Sequence, residues 1–104
     1  MKNQLNRGLQ RRLMYVENKQ GLLDGADARI GWVSFSRTGR TVYYRDRTLA
    51  KANGVSGNFL DMDTGEEFWV SGVKRNGSNV HWAERRSVEI DEDARDAYLE
   101  HRRS

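Results

Sequence analysis

The feature that most constrains the fold is a run of strand-forming residues broken by one short glycine turn, RIGWVSFSRTGRTVYYRDR at positions 29–47. Aromatic and β-branched side chains favour a pleated, half-buried surface, and Gly39 can adopt the positive φ of a tight turn. The sequence therefore predicts a β-hairpin with strands over 30–36 and 41–45. Apolar residues occupy both alternating sets of positions in the first strand, which predicts a central place in the sheet.

Further strands are predicted on both sides of this hairpin. LMYVEN at 13–18 is a short β-prone run, and NFLDM and EEFWV, at 58–62 and 66–70, flank the turn Asp63-Thr64-Gly65. Asn76-Gly77 is the favoured pair for a type I′ turn and centres a third hairpin over 72–82. The segments 19–28 and 51–58 are rich in glycine and small polar residues, which predicts loops.

The C-terminal segment at 90–103 has the charge pattern of a helix. Asp91 is a candidate N-cap, acidic residues fill the first turn, and Arg102 and Arg103 lie in the last. An apolar stripe follows the helical repeat at Ile90, Ala94, Ala97 and Tyr98.

Together these elements predict an α+β fold: a small twisted antiparallel sheet or open β-barrel of successive hairpins, with about five strands and a C-terminal helix. Residues 13–104 are expected to form this single small domain. Residues 1–12, MKNQLNRGLQRR, place leucines at helical spacing but include Gly8 and little other apolar support, so we expect a basic, flexible arm.

Composition excludes several classes of protein. The chain has 104 residues and no cysteine, so it has no disulfide framework, zinc ribbon or thiol nucleophile. It contains no apolar run of the roughly 20 residues that span a bilayer, and its start lacks the apolar segment of a secretion signal. We therefore expect a cytoplasmic protein with no membrane partner.

The charge is unevenly distributed along the chain. Residues 1–52 hold eleven basic and four acidic residues, a balance of +7, whereas residues 53–104 hold seven basic and eleven acidic residues, a balance of −4. This asymmetry either prepares one face for an anionic partner or lets the two halves attract each other within the fold.

Three strings, GWVSFSRTGRTVYYRDR, DMDTGEEFWVSGVKRNGSNVHW and VEIDED, resemble a group of short, uncharacterised bacterial proteins. The resemblance covers positions 15–93. Some of these proteins carry the name deoxyxylulose-phosphate synthase, a large thiamine-diphosphate enzyme. One small domain has no room for a diphosphate site between domains, so the resemblance implies no activity.

The sequence does not match the known motifs of catalytic, metal-binding or cofactor-binding sites that it first suggests. Asp61 and Asp63 have the spacing of a calcium loop, but the fifth, sixth and twelfth positions are Gly65, Glu66 and Gly72. His81 and His101 are twenty residues apart without cysteine neighbours, which disfavours a tetrahedral metal site. The glycine pairs GVSG and SGVKRNG match no phosphate-binding loop that opens a helix.

Acid-base chemistry by His81 with Glu66 or Glu67 would require a cleft that a sequence does not show. We therefore expect no enzymatic activity and no cofactor.

The arginines of the central hairpin are the strongest functional signal. Between positions 29 and 51 six basic residues face one acid, Asp46, and are interleaved with aromatic residues. Arginines that neutralise phosphates and aromatic rings that stack on bases suit RNA or single-stranded DNA. The candidate nucleic-acid-binding residues lie on two hairpins and are Arg37, Arg40, Arg45, Arg47, Tyr43, Lys74 and Arg75.

Two alternatives to this interpretation stay open. The aromatic residues could be core and the arginines a solvated face that forms ion pairs with the acidic half. The chain could also be a protein-interaction module, such as an immunity, antitoxin or inhibitor protein, with a protein partner in place of nucleic acid.

Overall fold

A computed structural model of the chain describes residues 10–53, 57–73 and 87–103. In these residues the backbone forms seven strands, one 3₁₀ turn and one α-helix. In chain order they are β1 (Gln10–Asn18), β2 (Ala28–Phe35), β3 (Thr41–Tyr44), β4 (Arg47–Lys51), β5 (Phe59–Asp61), β6 (Glu67–Gly72), β7 (Val88–Ile90), the 3₁₀ turn Glu92–Ala94 and α1 (Arg95–Arg103).

Six strands, β1 to β6, form a closed antiparallel barrel in which each strand pairs with the next along the chain. The barrel closes because β6 also pairs with β1, where Val16 lies opposite Val70. The prediction of a small antiparallel barrel with a C-terminal helix is confirmed. The barrel is closed rather than open, and β2 pairs with three strands, in agreement with its predicted central place.

Strand β4 was missed by the sequence analysis, which extended the preceding strand to position 45. That strand ends at Tyr44, and Arg45 and Asp46 form a two-residue connection to β4. Arg45 has φ of 54°, a conformation that glycine or asparagine usually supplies in such turns. The turn therefore lacks the sequence signal by which hairpins are recognised.

The C-terminal region begins as a strand and not as a helix. Ile90 ends β7, which pairs in parallel with the N-terminal part of β2, and α1 begins only at Arg95. At the other end of the chain, β1 starts at Gln10, inside the segment predicted to be an arm. Residues 1–9 and most of the third predicted hairpin, including Asn76-Gly77, lie outside the described residues.

Apolar side chains form two separate layers. The larger layer fills the barrel and consists of Met14, Val16, Leu23, Val33, Val42, Tyr44, Leu49, Phe59, Phe68 and Val70. A smaller layer lies between the outer surface of the barrel and α1, where Tyr98 packs with Tyr15, Ala28 and Ile30. Both layers follow from strand alternation, because successive side chains of β1 and β2 point to opposite faces.

Phe68 provides a direct test of the barrel interior, because its side chain is fully buried while the next residue, Trp69, is 40 % exposed on the opposite face of β6. Phe68→Ala should lower the free energy of unfolding by about 3 to 5 kcal/mol through lost burial and a cavity. Trp69→Ala is the matched control and should cost well under half as much. Urea denaturation measures both, and a Phe68→Ala cost below about 1 kcal/mol would contradict this placement.

Candidate functional site

One edge of β2 pairs with two different strands. The C-terminal part of that strand pairs with β3, where Ser34 lies opposite Tyr43, whereas its N-terminal part pairs with β7, where Ile30 lies opposite Ile90. The β2–β3 ladder stops before its next pair, which would join Val33 to Tyr44. The two neighbouring strands therefore leave a fork beside the middle of β2.

Asp91, which directly follows β7, places its buried carboxylate in this fork. One oxygen accepts a hydrogen bond of 2.7 Å from the Tyr44 hydroxyl. The other accepts hydrogen bonds from Arg45 at 2.9 Å and Arg29 at 3.2 Å. Gly31 is required beside it, because a Cβ at that position would overlap the carboxylate.

The prediction that Asp91 caps a helix is therefore only half right. It occupies the N-cap position of the 3₁₀ turn, and its backbone carbonyl accepts the Ala94 amide. Its side chain makes no capping hydrogen bond. The carboxylate instead joins the end of the chain to the barrel, because a buried charge requires partners that satisfy each oxygen.

The long connection between β1 and β2 covers the same end of the barrel. Leu23 is fully buried in the barrel core, and Arg29 holds the connection by donating from Nε to the Leu23 carbonyl and from Nη2 to the Asp24 carbonyl, at 3.0 and 2.6 Å. The Asp24 carboxylate accepts a hydrogen bond of 2.9 Å from Arg45. The predicted loop is therefore a folded cover over the barrel.

Arg47 completes the charged assembly at this end. It lies 3.4 Å from an Asp24 oxygen and 3.8 Å from an oxygen of Asp61, which is buried. Asp61 also accepts the backbone amides of Asp63 and Thr64, which stabilises the turn between β5 and β6. We call this assembly the ionic cluster: Asp24, Arg29, Arg45, Arg47, Asp61 and Asp91.

The strands and connections at the opposite end of the barrel carry basic residues. Neighbouring strands are antiparallel, so the β2–β3 and β4–β5 connections lie at the end away from the ionic cluster. The described residues of the strand ends and connections there, 10–13, 35–41, 50–53, 57–60 and 70–73, include no aspartate or glutamate. We call this the basic end, and its cations are Arg11, Arg12, Arg37, Arg40 and Lys51.

The predicted site residues are divided between these two ends. Arg37 and Arg40 are exposed at the basic end and flank the β2–β3 turn, as predicted from Gly39, whose φ is 78°. Arg45 and Arg47 belong to the ionic cluster. Tyr43 is half-buried on the outer face of β3, between Ser34 and Thr48, and Lys74 and Arg75 lie outside the described residues.

The other aromatic residues of the hairpin make packing or hydrogen-bond contacts within the fold. Tyr44 is buried in the barrel core, and Phe35 packs against that core. The Trp32 indole donates to the Asp93 carbonyl at 3.0 Å, and the Arg11 guanidinium lies 4.2 Å from its ring centroid. Tyr43 is therefore the aromatic residue of this hairpin that points outward without one of these packing roles.

Sequence reasoning missed Asp24, Gly31 and the side-chain role of Asp91. The one available signal was Leu22-Leu23, an apolar pair inside a segment with loop composition, which indicates that part of the segment is buried. No local pattern indicates that Asp91 reaches Tyr44, because the two residues are 47 positions apart.

The described residues contain no group of three or more His, Cys, Asp and Glu side chains able to hold a metal ion. His101 donates from Nε2 to the Val73 carbonyl at 2.9 Å, which docks the last turn of α1, and His81 lies outside the described residues. In the same part of the chain no helix is long and apolar enough to cross a membrane.

Comparison of the chain with protein-family models, with curated proteins and with solved structures found no match.

Tyr44 tests the ionic cluster through pH. Burial, followed by the hydrogen bond and negative charge of Asp91, raises the pKa of the Tyr44 phenol far above its ordinary value of 10.0. The folded state thus holds this proton more tightly than the unfolded state, so the stabilisation is complete below about pH 10 and is lost as the pH rises further.

At pH 8, Tyr44→Phe should lower the free energy of unfolding by about 1 to 3 kcal/mol, because it removes a buried hydrogen bond. Above about pH 10 this deficit should shrink by roughly 1.4 kcal/mol per pH unit. The Tyr44 phenol then ionises in the unfolded wild type but stays protonated in the folded state, so the wild type loses stability and the variant does not. Urea denaturation from pH 8 to 11 measures both chains. A deficit that stays constant over this range would contradict the assignment.

Proposed function

We propose that the protein is a small non-enzymatic binding module that holds RNA or single-stranded DNA at the basic end of its barrel. The observation that carries the proposal is the separation of charge between the two ends. At one end three arginines are matched by three aspartates, whereas the described strand ends and connections at the other end include five cations and no acid.

Such a surface favours a polyanion for two reasons. Cations grouped without counter-charges raise the local positive potential, which attracts phosphates even though the net charge of the chain is only +3. Arginines of the ionic cluster are already hydrogen-bonded to carboxylates, so they are poor phosphate ligands. Arg37 and Arg40 have no acidic partner among the described residues and are exposed.

Tyr43 favours a single strand over a duplex. Its ring lies on the outer face of β3, about two residues, or roughly 7 Å along the strand, from the basic end. A base stacked on an aromatic ring contributes about 1 to 3 kcal/mol, and only an unpaired strand can offer its bases in this way.

The experiment measures binding of labelled mixed-sequence RNA and DNA oligonucleotides by fluorescence anisotropy over a salt series. Affinity of the wild type should fall linearly with salt on logarithmic axes, because each phosphate contact releases counterions. Arg37→Gln/Arg40→Gln should weaken binding and reduce the salt slope by about 1.4, since each contact with a single strand contributes about 0.7.

The matched control is Lys19→Gln/Arg95→Gln, which removes the same charge from exposed positions away from the basic end. It should bind nearly as tightly as the wild type. Absence of salt-sensitive binding by the wild type, or equal losses in the two double variants, would show that the basic end is not a nucleic-acid surface.

A protein-interaction module is the second candidate, and exposed Trp69 on the outer face of β6 favours it. Tryptophan is enriched in protein interfaces, where packing and not counterion release supplies affinity. Two variants distinguish the candidates. If the protein binds a protein partner, Trp69→Ala should abolish that binding and Arg37→Gln/Arg40→Gln should retain it.

A further inference from the structure

We infer that the cleft beside Arg40 and Lys51 is a subsite for a single phosphate group. This inference rests on the proposed function and names the part of the basic end that recognises the ligand. The cleft has a volume of about 380 Å³ and is lined by Arg40, Thr41, Ala50, Lys51 and Asn53.

The backbone brings the two cations together. The Lys51 amide donates to the Arg40 carbonyl at 2.8 Å, which continues the β3–β4 ladder one step beyond the pair formed by Thr41 and Ala50. Residues opposite each other in an antiparallel ladder direct their side chains to the same face, with Cβ atoms about 5 Å apart. The pairing of β3 with β4 therefore places the side chains of Arg40 and Lys51 next to each other.

Two like charges held opposite each other destabilise a sheet unless an anion lies between them. No ion pair joins Arg40 or Lys51 to any acidic residue in the described ranges 10–53, 57–73 and 87–103. The Lys51 ammonium lies 5.6 Å from the ring centroid of Phe59, which lines the barrel. The ring holds the charge at the barrel mouth but does not neutralise it.

The donors at this cleft match a tetrahedral oxyanion. The Arg40 guanidinium can form two parallel hydrogen bonds with phosphate oxygens, and the Lys51 ammonium supplies a compact charge. The side-chain amide of Asn53 adds a neutral donor. The cleft, with its volume of about 380 Å³, has room for a phosphate group.

The first experiment follows backbone amide signals of the full chain by NMR while inorganic phosphate is added. The wild type should show saturable shifts concentrated at Thr41, Lys51 and Asn53. Arg40→Gln/Lys51→Gln should weaken phosphate binding about tenfold or more, because it removes both charged donors. Arg11→Gln/Arg37→Gln removes the same charge from the same end outside the cleft and should weaken it much less.

The second experiment compares the source of the phosphate, using oligonucleotides with a 5′-phosphate or a 5′-hydroxyl. Tighter binding of the phosphorylated strand, lost in Arg40→Gln/Lys51→Gln, would assign the cleft to a terminal phosphate. Equal binding of the two strands, weakened by that variant, would assign it to a backbone phosphate. Both results support the subsite.

Two further outcomes separate this inference from the proposed function. If Arg40→Gln/Lys51→Gln binds inorganic phosphate as tightly as the wild type, or if the two double variants lose equally, the discrete subsite is wrong, even where oligonucleotides still bind the basic end. If inorganic phosphate binds and the variant loses it while no oligonucleotide binds the wild type, the subsite stands and the nucleic-acid proposal fails.

Discussion

The buried carboxylate of Asp91 is the interaction on which the rest of the structure depends. It connects the region after β7 to Tyr44 in the barrel core and to Arg29 and Arg45 around it. A buried charge is tolerated only when its oxygens are fully hydrogen-bonded, so these partners must be held in one arrangement. That arrangement fixes where β7 joins β2, and β7 in turn positions α1 against the outside of the barrel.

This requirement also explains why the arginines of one hairpin lie in different environments. Antiparallel strands carry residues only a few positions apart to opposite ends of a barrel. Arg45 and Arg47 lie at the end where they pair with Asp24, Asp61 and Asp91. Arg40 lies at the basic end. The asymmetry of charge along the sequence thus becomes an asymmetry between the two ends of the molecule. The ion pairs of the ionic cluster join residues of the two halves, as one of the two interpretations expected, and the anionic partner of the other interpretation is the subject of the binding proposal.

Local pattern was sufficient to predict much of the barrel and little of the ionic cluster. Alternation of apolar residues predicted the strands that bury Val33 and Phe68, because side-chain direction in a strand depends on sequence position alone. It missed the turn at Arg45, where tertiary ion pairs stabilise a conformation that glycine usually supplies. It assigned Asp91 to a cap because a local motif contains no information about a partner 47 residues away. The turn between β2 and β3, which contains Arg37 and Arg40, was predicted correctly, because turn geometry is local.

The division of the hairpin arginines between the ionic cluster and the basic end is tested most directly by comparing two variants with the same charge. Urea denaturation of Arg45→Gln/Arg47→Gln should show a loss of at least about 2 kcal/mol in the free energy of unfolding, because buried carboxylates lose their partners. Arg37→Gln/Arg40→Gln, at the exposed turn of the basic end, should change it by no more than about 0.5 kcal/mol. Equal losses in the two variants would contradict the division, and so would a larger loss in the second.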